Sequence, residues 1–365
     1  MTVTGSYPKE DVTFLLKDLS DLSIEKSTAE REEAIQNGVH YSQMLPIEYE
    51  PTKEYLQLFY DSLETNKRRV AIAAGVVAEQ IVERRGFDTV LCSLARAGTP
   101  IGVLIKRYIE FKYDCSLPHY SISIIRDRGI DHNALQYIEN AHPHASLTFI
   151  DGWTGKGAIT KQLTSSIERY NQTFHTQHSA ELAVLADPGY CSSLYGTRED
   201  FIIPSACLNS TISGLVSRSV LNREWIKRDE FHGAKYYAEL KEKDLSNFYI
   251  ETISEQFKNT RTEVNELLGQ VKESYTAPNW EGLRSIQRIQ EHYSIDNINL
   301  IKPGVGETTR VLLRRVPWKI LIKPGTESEL QHILLLAEDR GVPVIEFKDM
   351  SYACCGLIQP MEKKE

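Results

Sequence analysis

The sequence predicts two α/β domains in tandem, the first built on a doubly wound parallel sheet and the second a smaller α/β/α sandwich. Three observations carry this expectation. Short apolar runs alternate with helix-period segments from about residue 51 to residue 273. Two of those runs end in glycine-bearing turns that open helices, at Arg96-Ala-Gly-Thr-Pro100 and Asp151-Gly-Trp-Thr-Gly-Lys-Gly157. Aliphatic periodicity then lapses at Ser274-Tyr-Thr-Ala-Pro-Asn-Trp-Glu-Gly282, beyond which strands and a helix resume. The expected organisation is an arm at 1–45, a first domain at 46–273, a linker at 274–282 and a second domain at 283–365.

Composition bounds the function. With 365 residues, 41% hydrophobic and 25% charged, the chain has apolar material for two or three packed cores. A formal net charge of -8 argues against a surface that traps nucleic acid everywhere, so any basic site must be local. Six cysteines, none at CxxC spacing, read as reduced thiols rather than a disulfide framework or a zinc site. His142-Pro-His144 lacks a third ligand and reads as a surface turn. No basic-then-apolar leader and no membrane-length apolar run occur, so a soluble, cytoplasmic protein with no membrane contact is expected.

The elements follow in order. The first 45 residues mix Leu15, Leu16 and Leu19 with the charged Glu30-Arg-Glu-Glu33 and read as an arm outside the core. Pro51 to Arg85 carries apolar residues at helical spacing and reads as two helices. A strand at 89–94, a helix at 101–109 and a strand at 119–125 form a β-turn-α-β unit, followed by the charged Arg126-Asp-Arg-Gly-Ile-Asp-His-Asn133. The strand 147–150 runs into the second glycine turn, with further strands expected at 180–186 and 201–203 and a helical stretch at 245–273. In the second domain, strands are expected at 318–322 and 342–347 around a helix at 327–339.

Arg96, Asp151 and Asp187 all fall at strand C-terminal ends, where open α/β sheets bind ligands. In the second glycine turn, Thr154, Gly155, Lys156 and Gly157 offer small residues, a hydroxyl and an ammonium at a helix start, where unpaired N–H groups and the helix dipole attract an anion. It is not a P-loop, because Gly152 lies too close to Gly155-Lys156 and no Ser or Thr follows the lysine.

These two turns, in this order and each after a strand, resemble those of type I phosphoribosyltransferases over roughly residues 50 to 220. The resemblance implies a doubly wound type I phosphoribosyltransferase-like sheet that transfers phosphoribose from phosphoribosyl diphosphate, with Mg²⁺, to an unidentified base-like acceptor. It places Arg96, Ala97, Gly98 and Thr99 on the diphosphate, Asp151 and Gly152 at the ribose, and Thr154, Gly155, Lys156 and Gly157 on the 5′-phosphate, with Asp187 beside the substrate. Arg126 and Arg128 would sit on a loop that closes over the diphosphate, and with Arg96 and Asp151 would form the catalytic set. The match departs from the family in having Ile150 before Asp151 and Trp153 where an acidic base often stands.

The series Gly304-Val-Gly-Glu-Thr-Thr-Arg310, Lys319-Ile-Leu-Ile-Lys323, Gly341-Val-Pro-Val-Ile345 and Ala353-Cys-Cys-Gly-Leu357 resembles the Pelota and kink-turn-binding family. That implies RNA or ribonucleotide contact through Gly304, Gly306, Glu307, Thr308, Arg310 and Arg314, with Arg315, Lys302 and Lys323 extending a basic patch. The pair of domains resembles a fusion associated with tellurium-resistance stress operons, and also the StiP family of cysteine proteases.

Two other readings stand beside transfer. One is a non-catalytic ribose-phosphate-sensing or RNA-binding stress protein. The other is a cysteine peptidase with Cys207 as nucleophile, His232 as base and Asn209 or Asp229 as orienter. The hydroxyl-rich loop after Cys207, with Ser210, Thr211, Ser213 and Arg218, is a further candidate for substrate contact. Oligomeric state and acceptor are left open by the sequence.

Overall fold

A computed structural model describes residues 1–359, with backbone alone for Thr28 and Arg314. The main sheet contains β1 (Thr13–Phe14), β2 (Thr89–Ala95), β3 (His119–Ile125), β4 (Gly129–Ile130), β5 (Ser146–Trp153), β6 (Leu182–Ala186) and β7 (Leu194–Thr197). Its order is β1-β3-β2-β5-β6-β7, every neighbouring pair parallel, and β4 folds back antiparallel on β3. Strand β2 is buried from Thr89 to Leu94 and β6 along its whole length, as expected of parallel strands covered on both faces.

From residue 53 onward the helices of this domain are α1 (Lys53–Arg85), α2 (Gly98–Tyr113), α3 (His132–Ala141), α4 (Ala158–Phe174), α5 (Ser246–Ser254) and α6 (Arg261–Glu273). Helix α1 is one continuous helix of 33 residues where the sequence suggested two. Its Ala71, Ala73, Ala74, Gly75 and Ala78 are small enough to bring it close to α2 and the β6–β7 side of the sheet. A Cβ on Gly75 would lie 2.8 Å from the Tyr108 ring.

The mixed α/β character and the parallel sheet match the sequence reading, while several local expectations change. The first residues are not an arm outside the core, because β1 pairs with β3, and Val3, Tyr7, Val12, Phe14, Leu15 and Leu16 are buried in the main cluster. Phe201, Ile202 and Ile203 are buried but belong to no strand; the last strand is 194–197 instead. The segment from Arg126 is not a free covering loop. Residues 126–128 make a tight turn, β4 returns along β3, and Asp131 caps α3 by accepting from the amides of Asn133 and Ala134 at 3.0 and 3.3 Å.

The C-terminal layers contain α7 (Glu281–His292), β8 (Ile301–Pro303), α8 (Val305–Arg314), β9 (Pro317–Ile322), α9 (Gln331–Asp339), β10 (Val344–Glu346) and β11 (Cys354–Ile358). Their sheet runs β8-β11-β9-β10, with β11 antiparallel to both neighbours and β9 parallel to β10. Two apolar clusters fill it: α7 with Ile286 and Ile289 packs with Leu321, Cys355 and Leu357, while Leu312, Ile333 and Ala337 of α8 and α9 join the main core.

Candidate functional site

Between β2 and β5 the chain order reverses: β2 leads through α2 to β3 on one side, and β5 lies on the other. A crevice opens at such a switch point, beyond the strand ends. Here it deepens into a cleft of about 880 Å³ whose far wall is the C-terminal domain. Gly98 lets the β2–α2 turn lie against β5, since a Cβ there would be 2.3 Å from the Ile150 carbonyl oxygen. Arg96 is thereby held at the cleft, with its guanidinium 3.7 Å from Glu48 and donating to the Val216 carbonyl at 3.5 Å.

Of the sequence-predicted residues, Arg96, Ala97, Arg126 and Asp151 meet in this cleft, joined by Lys302, Glu307, Arg310 and Arg315 from the second domain. Arg218, from the hydroxyl-rich loop, reaches the same space with its guanidinium 5.4 Å from the Tyr41 ring centre. Its charge is disfavoured by the surrounding protein and then by Arg96 and Arg31. Among the described residues no carboxylate lies within ion-pair distance of Arg126, Arg218, Lys302 or Arg315.

Asp151 lines the same cleft, as do the carboxyls of Glu48, Glu50 and Glu307. Asp151 accepts from the Gly152 amide at 2.8 Å, yet burial pushes its carboxyl up to about 7. The folded chain therefore holds that proton more tightly than the unfolded chain, whose Asp titrates near ~3.9. Stability falls as pH rises through that window and is level above about 7. Asp151→Asn is expected to raise the melting temperature at pH 8 and leave it unchanged at pH 4. Because the group opens on a cleft, the gain is about 1–2 kcal/mol, and equal melting shifts at both pH values would contradict it.

The remaining predicted residues lie elsewhere. Arg128 is exposed in its turn and does not line the cleft. Thr99 is buried and bonds Ser121 at 2.8 Å. Asp187 is wholly buried and takes the Thr154 hydroxyl, the Cys191 and Ser192 amides at 2.9 Å, and the Arg198 guanidinium, so it organises the β6–β7 connection rather than meeting a ligand. Burial pushes its carboxyl upward against the pull of Arg198.

The second glycine turn is covered. The Tyr352 hydroxyl donates to the Gly155 carbonyl at 3.0 Å, and the Lys156 ammonium donates to the Ile298 carbonyl at 2.6 Å. Burial and then Lys302 lower Lys156 to about 8. Gly157, at φ 78°, receives the ring of Trp280, and a Cβ there would sit 2.3 Å from it. The turn expected to cradle a phosphate is thus a seat for the second domain.

The Gly304 to Arg310 segment is covered in turn. Asp200 accepts from the Val305 amide at 3.0 Å and the Ala353 amide at 2.9 Å, and burial raises its carboxyl to about 6. Arg310 donates to the Ala206 carbonyl at 3.1 Å and pairs with Glu307 at 2.9 Å. Thr308 is buried, with its hydroxyl 3.4 Å from the Lys302 carbonyl. Arg314 lies in α8, and its side chain falls outside the described residues. Sequence reasoning missed Glu48, which pairs with Arg96 and accepts from Ser210 within the first domain, and Asp200, Trp280 and Tyr352, whose roles arise only when the two domains meet; an acid after a strand end was the one available signal, at Asp200.

Cys207 and His232 keep different company. Cys207 follows the 3-10 turn Pro204–Ala206, is 4% exposed, and lies 3.6 Å from Ser62 of α1. His232 bonds the Ser123 hydroxyl at 2.8 Å and its amide donates to Asp131, over β3 and α3. Burial lowers its pKa. The dyad drawn from the sequence is not assembled in this arrangement.

No helix among the described residues is long and apolar enough to cross a membrane. Residues 280–360 match the family described as PELOTA RNA binding domain. Residues 5–254 match the family described as tellurite-like stress resistance cysteine protease StiP. A protein of Acinetobacter baylyi named cysteine protease StiP is 38% identical over 373 residues, covering 99% of this chain and 95% of that protein. These matches correct the expectation of phosphoribosyl transfer: both the family and the full-length relative carry a protease description, and neither carries a transferase one. The diphosphate partner and Mg²⁺ implied by that resemblance have no support in them. With its first 254 residues matched almost throughout and a full-length relative at this identity, the chain belongs to the StiP family.

Proposed function

We propose that the chain is a stress-response protein that binds RNA, or a ribonucleotide segment of it, in the cleft between its two domains. The observation that carries this reading is the set of cations converging there without ion-pair partners: Arg126 and Arg218 from the first domain, Lys302 and Arg315 from the second. Unpaired cations in a concave site focus a field that draws polyanions. Tyr41, Tyr49 and Trp153 line the same cleft and offer ring faces on which unpaired bases stack. The Pelota RNA-binding match of residues 280–360 supports the same chemistry from the second wall. In fluorescence anisotropy with a labelled single-stranded RNA, Arg218→Ala and Lys302→Ala should each weaken binding about three- to tenfold and lower the log–log salt slope by about 1. Absence of wild-type binding at low salt overturns the reading.

A second reading, cysteine-peptidase action, is favoured by the family description and by one feature of the cleft. Ser205, Leu208 and Asn209, which flank Cys207, line its floor. Peptide hydrolysis through Cys207 requires that turn to move, since the thiol is 4% exposed and a thiolate nucleophile must reach substrate. Hydrolysis of a casein-derived peptide mixture should then vanish in Cys207→Ala and persist in Cys115→Ala. Activity retained in Cys207→Ala removes that thiol as nucleophile.

A further inference from the structure

The two segments that sequence alone marks as ligand-binding loops are each held by the other domain. On the C-terminal side, the Val305 amide belongs to the first turn of α8, whose N–H groups have no partner within the helix and are open to a phosphate. Asp200 already occupies it, putting a carboxylate oxygen where a phosphate oxygen would sit, and its second oxygen takes the Ala353 amide. A Cβ on Gly304 would lie 3.2 Å from that carboxylate, and one on Gly306 would lie 3.2 Å from the Ala206 Cβ. The space left between these segments is about 20 Å³, room for about one water and no nucleotide. On the other side, Tyr352, the Ile298 carbonyl and Trp280 occupy the glycine turn.

The seam between the domains combines apolar contacts, with Val305, Leu312 and Ile333 sharing the first domain's cluster, and hydrogen bonds. Its backbone bonds include the Asn279 and Trp280 amides to the Tyr190 carbonyl at 3.1 and 3.0 Å, and the Gly282 amide to the Gly189 carbonyl at 3.0 Å. Domains of one chain move relative to one another unless the interface between them is large and hydrophobic.

We infer that the closed arrangement masks the Gly304 to Gly306 segment, with Asp200 standing in for an RNA phosphate, and that full RNA binding requires the second domain to leave the glycine turn. This rests on the RNA reading above. In the closed form RNA meets only the cleft-facing cations Arg126, Arg218, Lys302, Arg310 and Arg315, without the α8 amides, so it binds weakly there. RNA and Asp200 compete for the same amide, and each therefore shifts the equilibrium away from the form the other prefers.

The test uses the full chain. An Ala206→Cys/Gly306→Cys pair, whose Cβ atoms fall close to disulfide reach, locks the domains when oxidised and frees them when reduced. Anisotropy with a single-stranded RNA should show the oxidised protein binding about tenfold more weakly than the same protein reduced, and Asp200→Asn binding several-fold more tightly than wild type. Tyr352→Phe, which removes one seam contact and keeps the ring, should shift affinity in the same direction as Asp200→Asn by a smaller factor. Equal RNA affinity of the oxidised and reduced pair overturns the mask while leaving RNA binding intact. No RNA binding by the reduced pair, Asp200→Asn or wild type at low salt overturns both. Small-angle scattering reads opening without RNA: Asp200→Asn should be more expanded than wild type, and an unchanged radius of gyration overturns the role of Asp200 as the latch.

Discussion

Asp187→Ala is expected to lower the unfolding free energy by about 3–5 kcal/mol, the largest single-residue loss in the first domain. The carboxylate is wholly buried and satisfies four donors at once: the Thr154 hydroxyl, the Cys191 and Ser192 amides, and the Arg198 guanidinium. Truncation leaves that guanidinium, packed 3.8 Å and 4.4 Å from the Tyr195 and Tyr190 ring centres, without its counter-charge, and leaves two amides unpaired. Asp187→Asn keeps the shape and loses the charge, so it should recover part of the loss. Urea unfolding monitored by circular dichroism measures both. A loss under about 1 kcal/mol for Asp187→Ala would show that the β6–β7 connection holds without it.

Gly157→Ala should separate the two domains before it unfolds either. At φ 78° an alanine costs on the order of 1 kcal/mol, and its Cβ would lie 2.3 Å from the Trp280 ring and 2.8 Å from the Cys191 sulfur. The cheaper relief is for Trp280 to lift from the turn, since Cys191 is fixed by its own amide on Asp187. Limited proteolysis should then cut near residues 274–280 at least about tenfold faster than in wild type while domain fragments stay intact. Uniform degradation of both domains would place the damage in the first core instead.

How far the sequence discloses the structure depends on where each residue finds its partners. Thr89–Ala95 is legible because a strand buried on both faces reads as a near-continuous apolar run, and His119–Ile125 and Pro317–Ile322 are legible from the isoleucines and leucine gathered in their C-terminal halves. Thr13–Phe14 is not, since a two-residue edge strand carries no period and draws its stability from β3, more than a hundred residues away. Phe201 to Ile203 look like a strand for the same physical reason that Thr89–Ala95 is one. Their burial comes from packing, with the Arg69 guanidinium 4.1 Å from the Phe201 ring centre, and not from a ladder. Arg96 and Asp151 line one cleft because strand ends converge at a switch point. The glycine turn misleads on its ligand: small residues at a helix start accept any close neighbour, and Trp280 serves as well as a phosphate. Cys207 and His232 look compatible as chemistry, but nothing in their spacing says that one lies over α1 and the other over β3.

Arg69, midway along α1, bonds Glu199 of its own domain at 2.8 Å and Glu329 of the second domain at 3.1 Å. If the second domain departs, Glu329 passes to solvent, where it is already half-exposed, and the guanidinium keeps both Glu199 and the face of Phe201. Helix α1, about 50 Å of continuous backbone, therefore behaves as a berth. Its mooring point stays formed with the vessel away, and return needs no reorganisation of the quay.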